Sequence, residues 1–333
     1  MKTEHASHNT SLSTFVVGSV VLALCLVTSG CSVKRMAVNK LGDALAGGGT
    51  TFSSDDDPEL IKSAVPFSLK LMESLLAESP KHKGLLFATS SGFTQYGYAF
   101  VQQDADEIEA KDYAAAEAMR ARAKRLYLRA RGYGLRGLEA AHPGFTNALA
   151  ADPRKAIAAM KKSDVPQLYW TAAAWGAAIS LGKDDPALIG EIPQMEALID
   201  RAAELDESWG DGAIHSFLIA YSMARPDLSE PPAEVAKKHY ARAVELSRGQ
   251  LAGPHVSYAE SVCVALEDRA CFDQALQAQR PPEIRALRPA IEMDTLPLYR
   301  AVYNTPDPDP LRQLEMKIEL HQRMALPVAC LVL

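Results

Sequence analysis

Along most of this chain apolar residues recur at the three- and four-residue spacing of a helix face, and no alternating pattern of useful length interrupts them. Asp57-Pro58-Glu59 is a helix start: an Asp cap, Pro at the first helical position and an acid in the first turn. The pattern predicts a helix to Ser79 through Leu60, Ile61, Ala64, Phe67, Leu71, Leu75 and Leu76, with Pro66 kinking or splitting it. A second helix, 83–103, is apolar nearly all round and therefore buried on most sides. A long amphipathic one, 109–141, is stopped by His142-Pro143-Gly144. Asp152-Pro153 and Asp185-Pro186 repeat the start signal, and further helices are expected at 166–181, 192–205, 210–224, 232–247, 254–266 and 268–278.

Within this array Val165 to Ala224 stands out, because it holds all three tryptophans, Trp170, Trp175 and Trp209, in alanine-rich helical sequence. Alanines let helices approach closely, and large rings then fill or line the space between them. The stretch reads equally as core or as the wall of an apolar cavity. Four related strings, Tyr127-Leu-Arg-Ala130, Ile199-Asp-Arg-Ala202, Tyr240-Ala-Arg-Ala243 and Phe272-Asp-Gln-Ala275, lie 72, 41 and 32 residues apart. They suit insertions into units of about 34 residues, the period of tetratricopeptide helix pairs. The fold class expected is all-α, a helical array of cryptic tetratricopeptide-like pairs.

The amino terminus differs. Phe15 to Val27 is an apolar run of thirteen residues after a lysine and a polar segment. A spanning helix needs about 20 such residues, so the run reads as the core of an export signal. Thr28-Ser29-Gly30-Cys31 resembles a bacterial lipobox, which implies acylation at Cys31, and Ser32 beside it implies sorting to the outer membrane, facing the periplasm. The segments expected are a signal peptide over 1–30, a flexible tether over 31–57, a helical body over 58–278 and a Pro-rich carboxy-terminal segment over 279–333.

Composition narrows the function. The chain has 333 residues, 48% of them hydrophobic, enough for a large core. A net charge of −6 argues against nucleic-acid binding, and the local basic run, Arg120, Arg122, Lys124, Arg125, Arg129, Arg131 and Arg136, reads as a solvated helix face. Among five cysteines there is no CxxC pair, and neither a disulfide framework nor a zinc site is indicated. Glu139-Ala-Ala-His142 is the only Glu-x-x-His and reads as a helix end; His215 and His239 read as satisfied helix histidines. With no HExxH, GxSxG, phosphate loop or EF-hand, no catalytic residue, metal or cofactor is expected. Tyr96, Tyr98, Tyr169, Trp170, Trp175 and Tyr221 are the candidate ligand-binding residues, since apolar pockets between helices are ordinary ligand sites. Core packing accounts for each of them as well.

GFTQYGYAFVQ (92–102), RLYLRARGYGLRGLE (125–139), LYWTAAAWGAAISLGKDDPALI (168–189) and YAESVCVALEDRACF (258–272) resemble, in that order, the TatT family, lipoprotein T-components associated with tripartite ATP-independent periplasmic (TRAP) transporters. The resemblance covers 58–278. It implies an all-helical, cryptic tetratricopeptide protein of the periplasm that can form a homotrimer, carries an apolar pore or cavity, and pairs with a periplasmic substrate-binding protein receiving a hydrophobic, carboxylate-type ligand. After Gln279 the chain departs from the family pattern, with Pro281, Pro282, Pro289 and Pro297 breaking the sequence into short pieces. The alternative is a tetratricopeptide-like structural adaptor in envelope protein assembly that holds no small ligand.

Overall fold

The computed structural model describes residues 36–47 and 57–278, and every regular element among them is helical. Cys25, Cys31 and Cys330, with the signal segment and the Pro-rich end, lie outside the described residues.

The first helix, α1 (36–46), falls inside the segment expected to be a flexible tether. That expectation is corrected for these residues. Ser79 Oγ donates to Asn39 Oδ1 at 2.8 Å, His82 Nε2 lies 3.3 Å from Asp43 Oδ1, and Gly42 sits so close to Leu85 that a Cβ there would come within 2.8 Å of it. Val38 and Leu45 pack against the main core on the same face as Gly42, so a short apolar stripe at three- and four-residue spacing, helped by these polar contacts, seats the helix.

The Asp-Pro starts behave as the sequence predicts. In α2 (Pro58–Glu78) Asp57 accepts from the Leu60 amide at 3.0 Å; in α7 (Pro153–Ile157) Asp152 accepts from Lys155, and in α9 (Pro186–Ile189) Asp185 accepts from Ala187 and Leu188. Pro66 lies inside α2, which nevertheless runs unsplit. After α3 (Lys83–Gly97) the chain passes through a π turn, Tyr98–Gln102, into α4 (Gln103–Ile108). The long helix, α5 (Tyr113–Ala141), begins four residues later than the amphipathic pattern suggests, because Asp112 caps it by accepting from the Ala115 amide. It ends at His142, and Gly144, at φ 87°, turns the chain into α6 (Phe145–Ala151). Glu139 accepts from the Gly144 and Thr146 amides, so its carboxylate caps that helix.

α8 (Val165–Ser180) and α10 (Ile192–Asp206) follow, and Trp209–Gly212 forms a tight turn into α11 (Ala213–Ser222). α12 (Pro232–Leu246), α13 (Gly253–Tyr258), a second π turn at Ala259–Cys263 and α14 (Arg269–Ala278) complete the described chain. Packing is largely sequential: α3 lies on α2 and α5, α5 on α8, α8 on α10, and α11 on α12.

One core runs from α2 to α11, with small satellite cores under α12 to α14. Tyr127 of α5 is fully buried in the main core, and its hydroxyl donates to Gln102 Oε1 in the π turn at 2.7 Å. α5 and α8 approach closely because α5 is notched: a Cβ at Gly134 would lie 2.4 Å from Thr171 Oγ1, and one at Gly137 would lie 2.7 Å from Gln167. The repeat alanines Ala130, Ala202, Ala243 and Ala275 are all buried.

The cysteine expectation is also corrected. Cys263 and Cys271 form a disulfide, because the π turn and the reversal that follows it, with Glu267 at φ 54°, bring their Cα atoms to 5.5 Å, inside the window a disulfide requires. The Cys271 amide donates to Asp268 Oδ1 at 2.9 Å, which fixes the turn.

Candidate functional site

The six aromatics expected to bind ligand fall in three places. Tyr96 and Tyr98 lie where α3 enters its π turn. Tyr96 is buried, its ring tilted against Phe100 at 5.8 Å between centroids, with the Arg122 guanidinium 5.8 Å from its centroid. Tyr98 is half-buried against the main core. Tyr169 and Trp170, at the start of α8, form a second group: Tyr169 meets the edge of Trp170 at 5.1 Å and tilts onto Trp209 at 4.7 Å. Trp170 is buried, and its indole N–H has no hydrogen-bond partner among the described residues.

Trp175 and Tyr221 belong to the third and most polar group, built on α5, α8, α10 and α11. Trp175 is buried, and its Nε1–H donates to Glu191 Oε2 at 3.0 Å. Arg131, from α5, pairs with the same oxygen and stacks its guanidinium 4.9 Å from the Trp175 ring. The next residue, Gly176, opens a slot for Phe217, since a Cβ there would come within 3.0 Å of the Phe217 ring tip. Phe217 in turn stacks on Tyr221 at 5.8 Å. The Tyr221 hydroxyl donates to Glu196 Oε1 at 2.7 Å, while Arg225 forks onto Asp200 at 2.9 and 2.6 Å. Burial, then the bond to Glu196, pushes the Tyr221 hydroxyl well above its ordinary pKa, so it stays a donor at neutral pH.

Consecutive residues of α8 thus serve two contacts: Trp175 lies under the Arg131–Glu191 pair, and Gly176 opens an apolar seam, Gly176–Phe217–Tyr221, beside the Arg225–Asp200 pair. Phe217 and Tyr221 are only half-buried, so the seam reaches the surface. An aromatic seam with a few fixed polar groups suits a hydrophobic ligand with one polar end. The residues the sequence reading missed here are Arg131, Glu191, Glu196, Asp200 and Phe217. Apart from the Phe217–Tyr221 stack, their partners lie 16 to 60 positions away along the chain, so no local pattern marks them.

The histidines pair with each other. His215 Nδ1 and His239 Nδ1 are 2.9 Å apart across α11 and α12, and His215 Nε2 lies 3.1 Å from Glu207. The contact requires at least one neutral ring, since two imidazolium groups would present only donors. Burial first, then the neighbouring His215 charge, lowers the His239 pKa to about 4. No group of three or more His, Cys, Asp or Glu that could hold a metal occurs among the described residues, and none of their helices is long and apolar enough to cross a membrane.

Comparison with known proteins gives the geometry its context. An uncharacterized protein of Treponema pallidum (strain Nichols) is 30% identical over 272 residues, an alignment that spans 76% of this chain and 84% of that relative. The family model described as the TRAP transporter T-component matches residues 54–286, which contain α2 to α14 and all six candidate aromatics. The chain therefore belongs to the TRAP transporter T-component family.

Proposed function

We propose that this protein is the lipid-anchored accessory of a TRAP-type solute uptake system, tethered through acylated Cys31 to the outer membrane and facing the periplasm. It binds or passes a hydrophobic carboxylate and docks the periplasmic substrate-binding protein that receives it. The family match over 54–286 carries this reading. The seam at Phe217 and Tyr221, with Trp175 on the same helix as its Gly176 slot, supports the ligand half of it, because its rings offer apolar surface that reaches the exterior. The Cys263–Cys271 disulfide supports the compartment, since such bonds persist in oxidising spaces such as the periplasm. A tetratricopeptide-like repeat and a homotrimer belong to the same proposal. The adaptor in envelope assembly has no comparable support from the family match.

The test is organic extraction of the full chain, purified from its native membrane, followed by mass spectrometry. A co-purifying fatty or aromatic acid is expected. Protein that is empty at every preparation, and takes up no such acid when offered it, contradicts the ligand reading.

A further inference from the structure

The basic run on α5 divides into two faces with different chemistry. Arg120, Lys124 and Arg131 point one way and are neutralised: Arg120 by Asp106, Glu109 and Glu117, Lys124 by Asp185, Arg131 by Glu191. Arg122, Arg125, Arg129 and Arg136 lie on the opposite side, within a quarter-turn arc at 100° per residue, and all four are exposed. Arg122 reaches only the Tyr96 hydroxyl at 3.4 Å, and Arg136 only the Pro80 carbonyl at 3.2 Å. Arg125 has no hydrogen bond or ion pair to any described residue. Glu73, beneath the row, is already shared by Lys70, Arg129 and Tyr133.

This is unusual within the molecule. Arg201, Arg225, Arg242 and Arg269 are ion-paired like Arg120 and Arg131, and among the described residues only Arg154 and Arg248 otherwise lack a carboxylate. Three of the four arginines are also held over aromatic rings. Arg122 lies over Tyr96, Arg129 4.9 Å over Phe93 and Arg136 5.0 Å over Tyr133, while Phe93 and Tyr133 stack on each other at 6.1 Å. Stacking preorganises the guanidinium forks, so less entropy is lost when they bind. The row spans about 21 Å of helix.

We propose that this face of α5 is a docking surface for a protein partner presenting a matching row of carboxylates. In the uptake reading, on which only the identity of the partner rests, that partner is the substrate-binding protein. Carboxylates are the forks' geometric match, and arginines over aromatics are the residues that dominate interface energetics. A bilayer fits less well: the aromatic rings lie beneath the guanidiniums, and the exposed large apolar residue on α5, Tyr113, is a third to a half of a turn round the helix from the row.

The test titrates the full chain with a synthetic helical peptide carrying Glu at positions 1, 4, 8 and 15, and with its Gln counterpart. The Glu peptide should bind, at least about tenfold more tightly than the Gln peptide, and lose affinity with salt as screened charges do. Arg122→Gln/Arg125→Gln should weaken it by at least about tenfold with an unchanged thermal midpoint, since neither residue is ion-paired, whereas Arg154→Gln/Arg248→Gln should leave it intact. Equal binding by wild type and the α5 variant overturns the proposal, as does equal loss in the control variant. Preference for phosphatidylglycerol vesicles over the peptide assigns the row to lipid instead, and a change in sedimentation assigns it to self-association. Peptide binding by a protein that never yields a hydrophobic acid rejects the ligand reading alone, so the two failures are distinguishable.

Discussion

Trp175 and Arg131 converge on one oxygen. The indole N–H donates to Glu191 Oε2 at 3.0 Å, and the guanidinium pairs with that oxygen while stacking on the indole ring. A carboxylate held by two donors ties α5, α8 and the turn before α10 together. Glu191→Ala removes their shared acceptor and leaves a partly buried cation without its counter-charge. It is expected to cost about 2 kcal/mol, read as a lower urea midpoint, and Arg131→Met in the same chain should recover part of that loss. An unchanged midpoint in Glu191→Ala would show the contact to be incidental.

Gly134 faces Thr171 so closely that a methyl group has no room. Alanine ordinarily stabilises a helix interior by about 1 kcal/mol over glycine. Here Gly134→Ala is expected to reverse that sign and destabilise by about 1–3 kcal/mol, because α5 and α8 must separate. Gly132 has open space around it and serves as the internal comparison; Gly132→Ala should raise the thermal midpoint.

Cys263 and Cys271 close a short loop over a satellite core that includes Val256, Phe272 and Leu276. Reduction is expected to cost about 2–3 kcal/mol on the chain-entropy account and to loosen α13 and α14 before the main core. Amide exchange with and without reductant checks this: faster exchange confined to 254–278 is the predicted outcome, and uniform change across the chain is the contrary one.

His239 supplies a pH dependence whose sign follows from its lowered pKa. Unfolded, it takes a proton near pH 6.5; folded, burial first and then the facing His215 and Arg225 hold it neutral down to about 4, against the opposing pull of the Asp200 carboxylate. The unfolded chain therefore binds more protons between those values, and stability, fully present above pH 6.5, declines as pH falls toward 4. Glu207, Arg242 and the His215 ring adjoin the same contact, so the comparison must be with a variant. The drop in thermal midpoint from pH 7 to pH 5 should shrink by roughly 3 °C in His239→Gln, equivalent to about 1 kcal/mol.

What the sequence disclosed was local. The caps at Asp57, Asp152 and Asp185 were legible because Asp-Pro fixes a helix start within two residues, and the stop at His142 because Gly144 can adopt a positive φ. The start of α5 was misplaced because Glu109 to Lys111 continue the amphipathic pattern, and only the Asp112 side chain, accepting from Ala115, marks the true boundary. The disulfide was not legible: an eight-residue separation says nothing until a turn sets the angle. At the candidate site, Trp175 and Tyr221 drew attention as large rings, whereas Glu191 and Glu196 did not. A carboxylate on a helix looks solvated until tertiary packing delivers an indole or a phenol to it.

The central proposal is that the seam at Gly176, Phe217 and Tyr221 holds a hydrophobic acid on its way to a binding protein. Phe217 is half-buried and makes no hydrogen bond through its side chain, so Phe217→Ala can change the seam while leaving the polar contacts in place. The most direct measurement is native mass spectrometry of the wild-type chain and of Phe217→Ala with its helix content verified. The account predicts a bound fatty or aromatic acid on the wild type and its loss, by about tenfold or more in occupancy-derived affinity, in the variant. Equal retention by both proteins, or no acid on either after incubation with a mixture of such acids, would contradict it.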